Sequence, residues 1–354
     1  MKTLTTLIAT LFILNIFQTT FAAEVHEEIT ALNEEFNHYS KYPILIFERE
    51  KLKKEIIEKA IQSEKERLDY IDQYVQSRVQ VKLSKGQLST LDDYLMTETP
   101  SPLAFPFTKG WSMEYEMCVV FPREETPSAM EEVKRLSGYS FAPENYEGKD
   151  INALKDLFTA EEFLLYSLYH ELSHCLDPKY IPRAQVSNGG AHQFHMAESF
   201  AEVNALFMLA KRKDMFRLGN KRALLRSLYT KYAGPKLAKM SNPDAIAQGA
   251  VYYLAPVLYK AQERLLSYTF SIQDLSLSEM IDISKELTEN HAYSSRTFHA
   301  VIQYLSVGEK EALAQYEKYL NDMPELFIPT YMSLQLFHTQ MKMLDQWEKL
   351  ASKF

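Results

Sequence analysis

His170 and His174 stand four residues apart in the segment Tyr169-His170-Glu171-Leu172-Ser173-His174-Cys175-Leu176-Asp177. On a helix this spacing puts both imidazoles on one face. There they can share one metal ion, with Glu171 beside them to take a proton from a water on that metal. The chemistry of such a trio is metal-assisted hydrolysis, and zinc is the ion it suits. A zinc site of this kind also needs a third protein ligand and an open fourth position.

The motif requires a helix, and the flanking residues predict one. Thr159-Ala160-Glu161-Glu162 has the form of a capping box, with Thr159 as N-cap and Glu162 reaching back. Phe163, Leu164, Leu168, Leu172 and Leu176 follow at helical spacing. Asp177-Pro178 ends the helix, because the residue before a proline leaves the helical region. A second helix is predicted from Ala197 to Lys213, with Lys211, Arg212 and Lys213 at the end that favours cations. Glu198 and Glu202 lie four apart on it. Two carboxylates on an otherwise apolar helix are costly to bury without partners, and a metal with its imidazoles would supply them. His195, three residues before Glu198 on the same face, could approach the metal equally well.

H-E-x-x-H followed by E-x-x-A-E on a second helix resembles the gluzincin class of zinc metallopeptidases. Asp177, three residues after the second histidine, and the string Glu198-Ser199-Phe200-Ala201-Glu202 resemble the lethal-factor branch, the group of the anthrax toxin protease. The likeness spans about 55 residues, Thr159 to Lys213. It implies a zincin-like core with one Zn2+ per chain, His170, His174 and Glu198 as ligands, and Glu171 as general base. It also implies that Glu202, and with it Asp177, steadies a ligand imidazole from behind; His195 is a further candidate for such a supporting place. The chain departs from the branch at one point. A tyrosine that donates to the oxyanion is replaced by Ala191, and the adjacent His192 is the candidate substitute. Tyr252, Tyr253, His291 and His299 remain open for that role.

Composition bounds the setting. Met1-Lys2 and the apolar run Leu4 to Phe17, with small residues at Thr20 and Ala22, predict a secretory signal peptide over 1–22. The expected protein is then exported, periplasmic or secreted, and not stably inserted in a membrane after cleavage. The net charge of −8 argues against a nucleic-acid partner; the expected partner is a protein or peptide substrate. Two cysteines, Cys118 and Cys175, allow one disulfide in an oxidising compartment, and two buried thiols are the alternative.

The predicted fold class is α+β and predominantly helical: a signal peptide (1–22), a helical N-terminal region (23–99), a zincin-like catalytic core (100–215) and a helical C-terminal region (216–354). Ile44 to Val81 is predicted as one long helix or two. The clearest strand signal runs from Trp111 to Phe121; by analogy with zincins it is the edge strand that would receive an extended substrate. Two rival functions stand beside the peptidase. Glu171-x-x-His174 with Glu35-x-x-His38 could build a di-iron carboxylate site, and a zincin-like scaffold could bind without catalysing.

Overall fold

The computed structural model describes residues 25–97, 101–109, 114–123, 154, 156–177, 179–180, 190–240, 243–268 and 271–354. The expected signal peptide, and Trp111 to Met113 at the start of the expected strand, lie outside these residues. The chain divides into two compact units, Met1–Thr126 with Phe163–Cys175, and Pro127–Glu162 with Leu176–Phe354. Among the described residues no helix is long and apolar enough to cross a membrane.

The first unit is built on a three-stranded sheet. A helix described over 25–36 (α1) leads to β1 (Ile44–Ile46), followed by α2 (Arg49–Glu58), α3 (Glu64–Val79) and α4 (Lys85–Met96). Strands β2 (Leu103–Thr108) and β3 (Tyr115–Phe121) complete it, in the order β1-β3-β2. Strand β1 runs parallel to β3, with Ile44 opposite Cys118, and β2 runs antiparallel on the other side. This differs from the single or double helix expected over Ile44 to Val81. Ile44, Leu45, Ile46 and Phe47 are all buried, and four consecutive apolar residues after Pro43 suit a strand covered on both faces. The helical pattern begins only at Arg49.

β3 is also not the edge strand that was expected. It is paired on both sides, so it has no free ladder to offer a substrate. The edges are β1 and β2, and β2 carries Pro106, a residue confined to sheet edges because it lacks an N–H.

Helices α2 to α4 cover this sheet. Phe47, Leu52, Ile71, Val75, Leu91 and Leu95 form one core with Phe107, Met117, Val119 and Phe121. The N-terminal helices and the strands therefore do not part at 99–100 as expected. Capping boxes at Ser63/Glu66 and Ser84/Gln87 start α3 and α4, and Arg67 grips Asp92 through two nitrogens at 2.9 Å.

The H-E-x-x-H helix, α5 (Ala160–Leu176), starts where the sequence predicts. Thr159 Oγ1 accepts from the Glu162 amide at 3.1 Å, and Glu162 accepts from the Thr159 amide at 2.8 Å. Within the first unit α5 is held at three points. Cys175 is disulfide-bonded to Cys118 on β3. Tyr169 donates to Glu28 on α1, and Tyr42 donates to the Cys175 carbonyl. All three anchors lie within a turn or so of His170 and His174.

The second unit is helical. It contains α6 (Gly190–Lys213), α7 (Leu218–Leu237), α8 (Pro243–Val251), α9 (Ala255–Ser267), α10 (Leu277–His291), α11 (Ser295–Val307), α12 (Glu309–Asp322), α13 (Pro324–Met343) and the short α14 (Trp347–Ala351). Helix α6 is buried on nearly every side from Ala197 to Ala210. It packs against α9 and α10, and α7 packs against α8 and α9. The boundary expected at 215–216 therefore falls inside this unit. Gly219 and Gly234 lie within α7. A Cβ on Gly249 would fall 2.8 Å from the Gly234 Cα, so these two glycines allow α7 and α8 to touch backbone to backbone. The chain turns at Asp214, which adopts φ 55°.

Replacing both Cys118 and Cys175 by serine should cost about 4 kcal/mol, because the bridge closes a loop of 57 residues. Urea unfolding followed in the near-UV checks this, and an unchanged midpoint would contradict the anchoring role.

Candidate metal centre

Each histidine of the motif is placed by α5. The rings of His170 and His174 lie 4.7 Å apart between centroids and nearly perpendicular, at 83°, as two side chains converging on one point would. Both are buried, and Glu171 between them is buried as well. His170, His174 and Glu198 form a group in which one ligand atom from each lies within 4.8 Å of the others.

The donor set fits a divalent ion. Two neutral imidazoles and one carboxylate are a combination that zinc takes in catalytic sites. A bound zinc would be held by His170, His174 and Glu198.

The carboxylate side of the group has its own counter-charges. Glu202 is fully buried on α6. Arg222 on α7 donates through Nε to both of its oxygens, at 3.1 and 3.0 Å. Arg226, one turn later, donates through Nε to Oε1 at 2.7 Å and approaches the same oxygen through Nη2 at 2.6 Å. The same Nη2 lies 3.6 Å from Oε2 of Glu198, and the guanidinium carbon stands 4.7 Å over the Tyr252 ring. Burial alone would lower the pKa of Arg226, but Glu202, Glu198 and Tyr252 outweigh it and hold the pKa above the usual arginine value. Two carboxylates four apart on α6 are thus matched by two guanidiniums four apart on α7.

The arginines were not singled out in the sequence. Their signal is present: Arg222 and Arg226 interrupt the apolar run Ala223-Leu224-Leu225 and Leu228 with helical spacing, the mirror image of Glu198 and Glu202. Only the fold reveals that the two rows face each other.

The other expected residues have described partners of their own. Asp177 Oδ1 accepts from the amides of Lys179 and Tyr180, at 2.8 and 2.9 Å, and so shapes the turn after α5. His192 donates from Nε2 to the Tyr293 carbonyl at 2.8 Å, and burial lowers its pKa. It lines a cavity of about 880 Å³ together with Met196, Leu224, Tyr253, Tyr293 and Phe337. His192 and Met196 share a face of α6 about a third of a turn from Glu198 and Glu202. The Nε2 of His192 is thus engaged by the Tyr293 carbonyl.

His195 has both ring nitrogens hydrogen-bonded. Its Nδ1 bonds to the Val251 carbonyl at 2.9 Å, and its Nε2 accepts from the Tyr293 amide at 3.1 Å. A carbonyl can only accept and an amide N–H only donate, so the ring is the neutral Nδ1–H tautomer. Both nitrogens are committed, and none remains for a metal. Tyr253 donates to Gln340, and the exposed His299 bonds to the Ser295 carbonyl. His291 ends α10. Glu35 and His38, the second copy of the di-iron pattern, are exposed and outside the metal-capable group.

No protein-family model, no curated protein and no solved structure matches this chain.

Burial lowers the His195 pKa to about 4, below the value of about 6.5 in the unfolded chain. The unfolded chain therefore takes up this proton first. The stabilisation is present above about pH 6.5 and is lost as pH falls toward 4, an effect of about 3 kcal/mol. Compared with His195→Gln, the wild type should lose that much of its advantage between pH 7.5 and pH 4.5 in chemical unfolding. A gap that does not change with pH would contradict the assignment.

Proposed function

We propose that this chain is an exported, zinc-dependent metalloendopeptidase with a gluzincin-type site on a zincin-like fold. One observation carries the reading: His170, His174 and Glu198, from two different helices, present their ligand atoms within 4.8 Å of one another. The motif alone predicts two of these; the third comes from the helix and the position that the resemblance implies. The di-iron alternative lacks its second half, since Glu35 and His38 are exposed.

When bound, zinc supplies a Lewis acid for the scissile carbonyl and brings the pKa of a water in its shell from 15.7 toward about 7. The chain supplies the rest. The Glu171 carboxylate would take a proton from the attacking water and pass it to the departing amine nitrogen. Of the oxyanion donors left open by the sequence, His192, Tyr253 and His299 are turned toward other partners. Tyr252 is the one whose ring lies against Arg226, a single ion pair away from Glu198; we assign it the donor role. The Cys118–Cys175 bridge supports export, because such bonds persist in oxidising compartments. The sheet and α5 within one unit support the zincin-like reading.

Metal analysis of the purified protein should find one zinc per chain, and a proteome-derived peptide library should be cleaved. Glu171→Gln should keep the zinc and lose hydrolysis by at least about a hundredfold. Full cleavage by that variant, or two irons per chain, would overturn the proposal.

A further inference from the structure

We propose that Arg226 is a positioning residue of the metal centre, presenting the Glu198 carboxylate to the ion by clamping it against Glu202. The inference rests on the metal-site reading above and adds a residue and a role to it.

Glu198 and Glu202 are successive residues of one helix row, and like charges at this spacing repel. Burial strengthens that repulsion, because little water screens it. Arg226 bridges the two. Its Nη2 lies 2.6 Å from Glu202 Oε1 and 3.6 Å from Glu198 Oε2. The side chain is only 3% exposed, so it has little room to leave. Tyr252 supports one face of the guanidinium, which fixes the plane of the fork.

Arg226 could act on metal binding in two opposing ways. Holding Glu198 in place favours the ion, while a nearby positive charge disfavours it. The distances decide between them. Arg226 sits an ångström closer to Glu202 than to Glu198, so most of its charge is spent on Glu202 and the repulsion felt at the metal is small. Loss of a residue that orients a metal ligand typically weakens metal binding about 10- to 100-fold. Arg222 provides an internal control. It pairs with both oxygens of Glu202 and is likewise buried, and the ion pair to Glu198 comes from Arg226.

The test is the zinc dissociation constant of the full chain, measured at neutral pH by competition with a chromophoric chelator. The set is wild type, Arg226→Met, Arg226→Lys and Arg222→Met, with circular dichroism and melting of each metal-free form. Arg226→Met should bind zinc at least about tenfold more weakly than wild type, while Arg222→Met stays within about threefold although it melts earlier. Arg226→Lys keeps the charge but has one nitrogen for two carboxylates, so it should fall between. Equal losses in Arg226→Met and Arg222→Met would reduce both arginines to structural roles and overturn the proposal. If Arg226→Met does not fold, Arg226→Lys decides: a threefold or greater loss supports the clamp, and wild-type affinity overturns it. A wild type that binds no zinc would overturn the metal-site reading itself, a result distinct from a zinc-binding wild type that is indifferent to position 226.

Discussion

Two carboxylates on a helix buried from almost every side are the constraint around which the second unit is arranged. Glu202 has no exposed surface, and an ionised carboxylate in such a place is costly unless paired and hydrogen-bonded. α7 meets the need with Arg222 and Arg226 at the same four-residue spacing. Complementary rows of this kind fix the register of the two helices, since a shift of one turn would leave a buried charge on each. Leu224, between the arginines in sequence, points to the other side and lines the cavity with His192 and Met196. One helix thus serves the carboxylates with one face and the cavity with the opposite one. Well-packed apolar residues would stabilise such an interface as well as ion pairs do. Three buried charges and the half-buried Glu198 therefore add little stability over apolar packing at this interface.

The histidine pair depends on a different kind of restraint. α5 carries His170 and His174 on its last two turns, where helices fray unless held. The bridge from Cys175 to β3 is one residue from His174, and the Tyr42 hydroxyl holds the carbonyl of the same cysteine. Tyr169, one residue before His170, is held by Glu28. Both imidazoles are therefore flanked by a tethered neighbour. The tethers reach the most firmly built part of the first unit, since Cys118 is on the strand paired on both sides. A central strand is a better anchor than an edge, because its backbone is hydrogen-bonded in both directions.

How much of this was legible in the sequence depended on whether the signal was local. The extent of α5 was legible, because its capping box and its terminating Asp-Pro are written within a few residues of its ends. Glu198 was legible through the spacing of its string. β1 was not: three strand residues beside a long charged helical stretch are outweighed by it, and only their pairing with β3 across more than 70 residues makes them a strand. The central place of β3 was hidden for the same reason, since a strand carries no mark of how many neighbours it has. His195 shows the limit most clearly. It lies on the same face as Glu198, and its residue type suits a ligand. Its partners, Val251 and Tyr293, come from 56 and 98 residues downstream.

The contrast among the three histidine environments follows from what each ring is offered. His195 is given one acceptor and one donor, which satisfies the neutral ring completely and leaves no lone pair for a metal. His192 is given a carbonyl, which commits Nε2 as a donor. His170 and His174 are instead offered each other at 4.7 Å and the carboxylate of Glu198. That grouping of two imidazoles and a carboxylate could hold a metal ion, whereas the ring of His195 has both nitrogens hydrogen-bonded elsewhere.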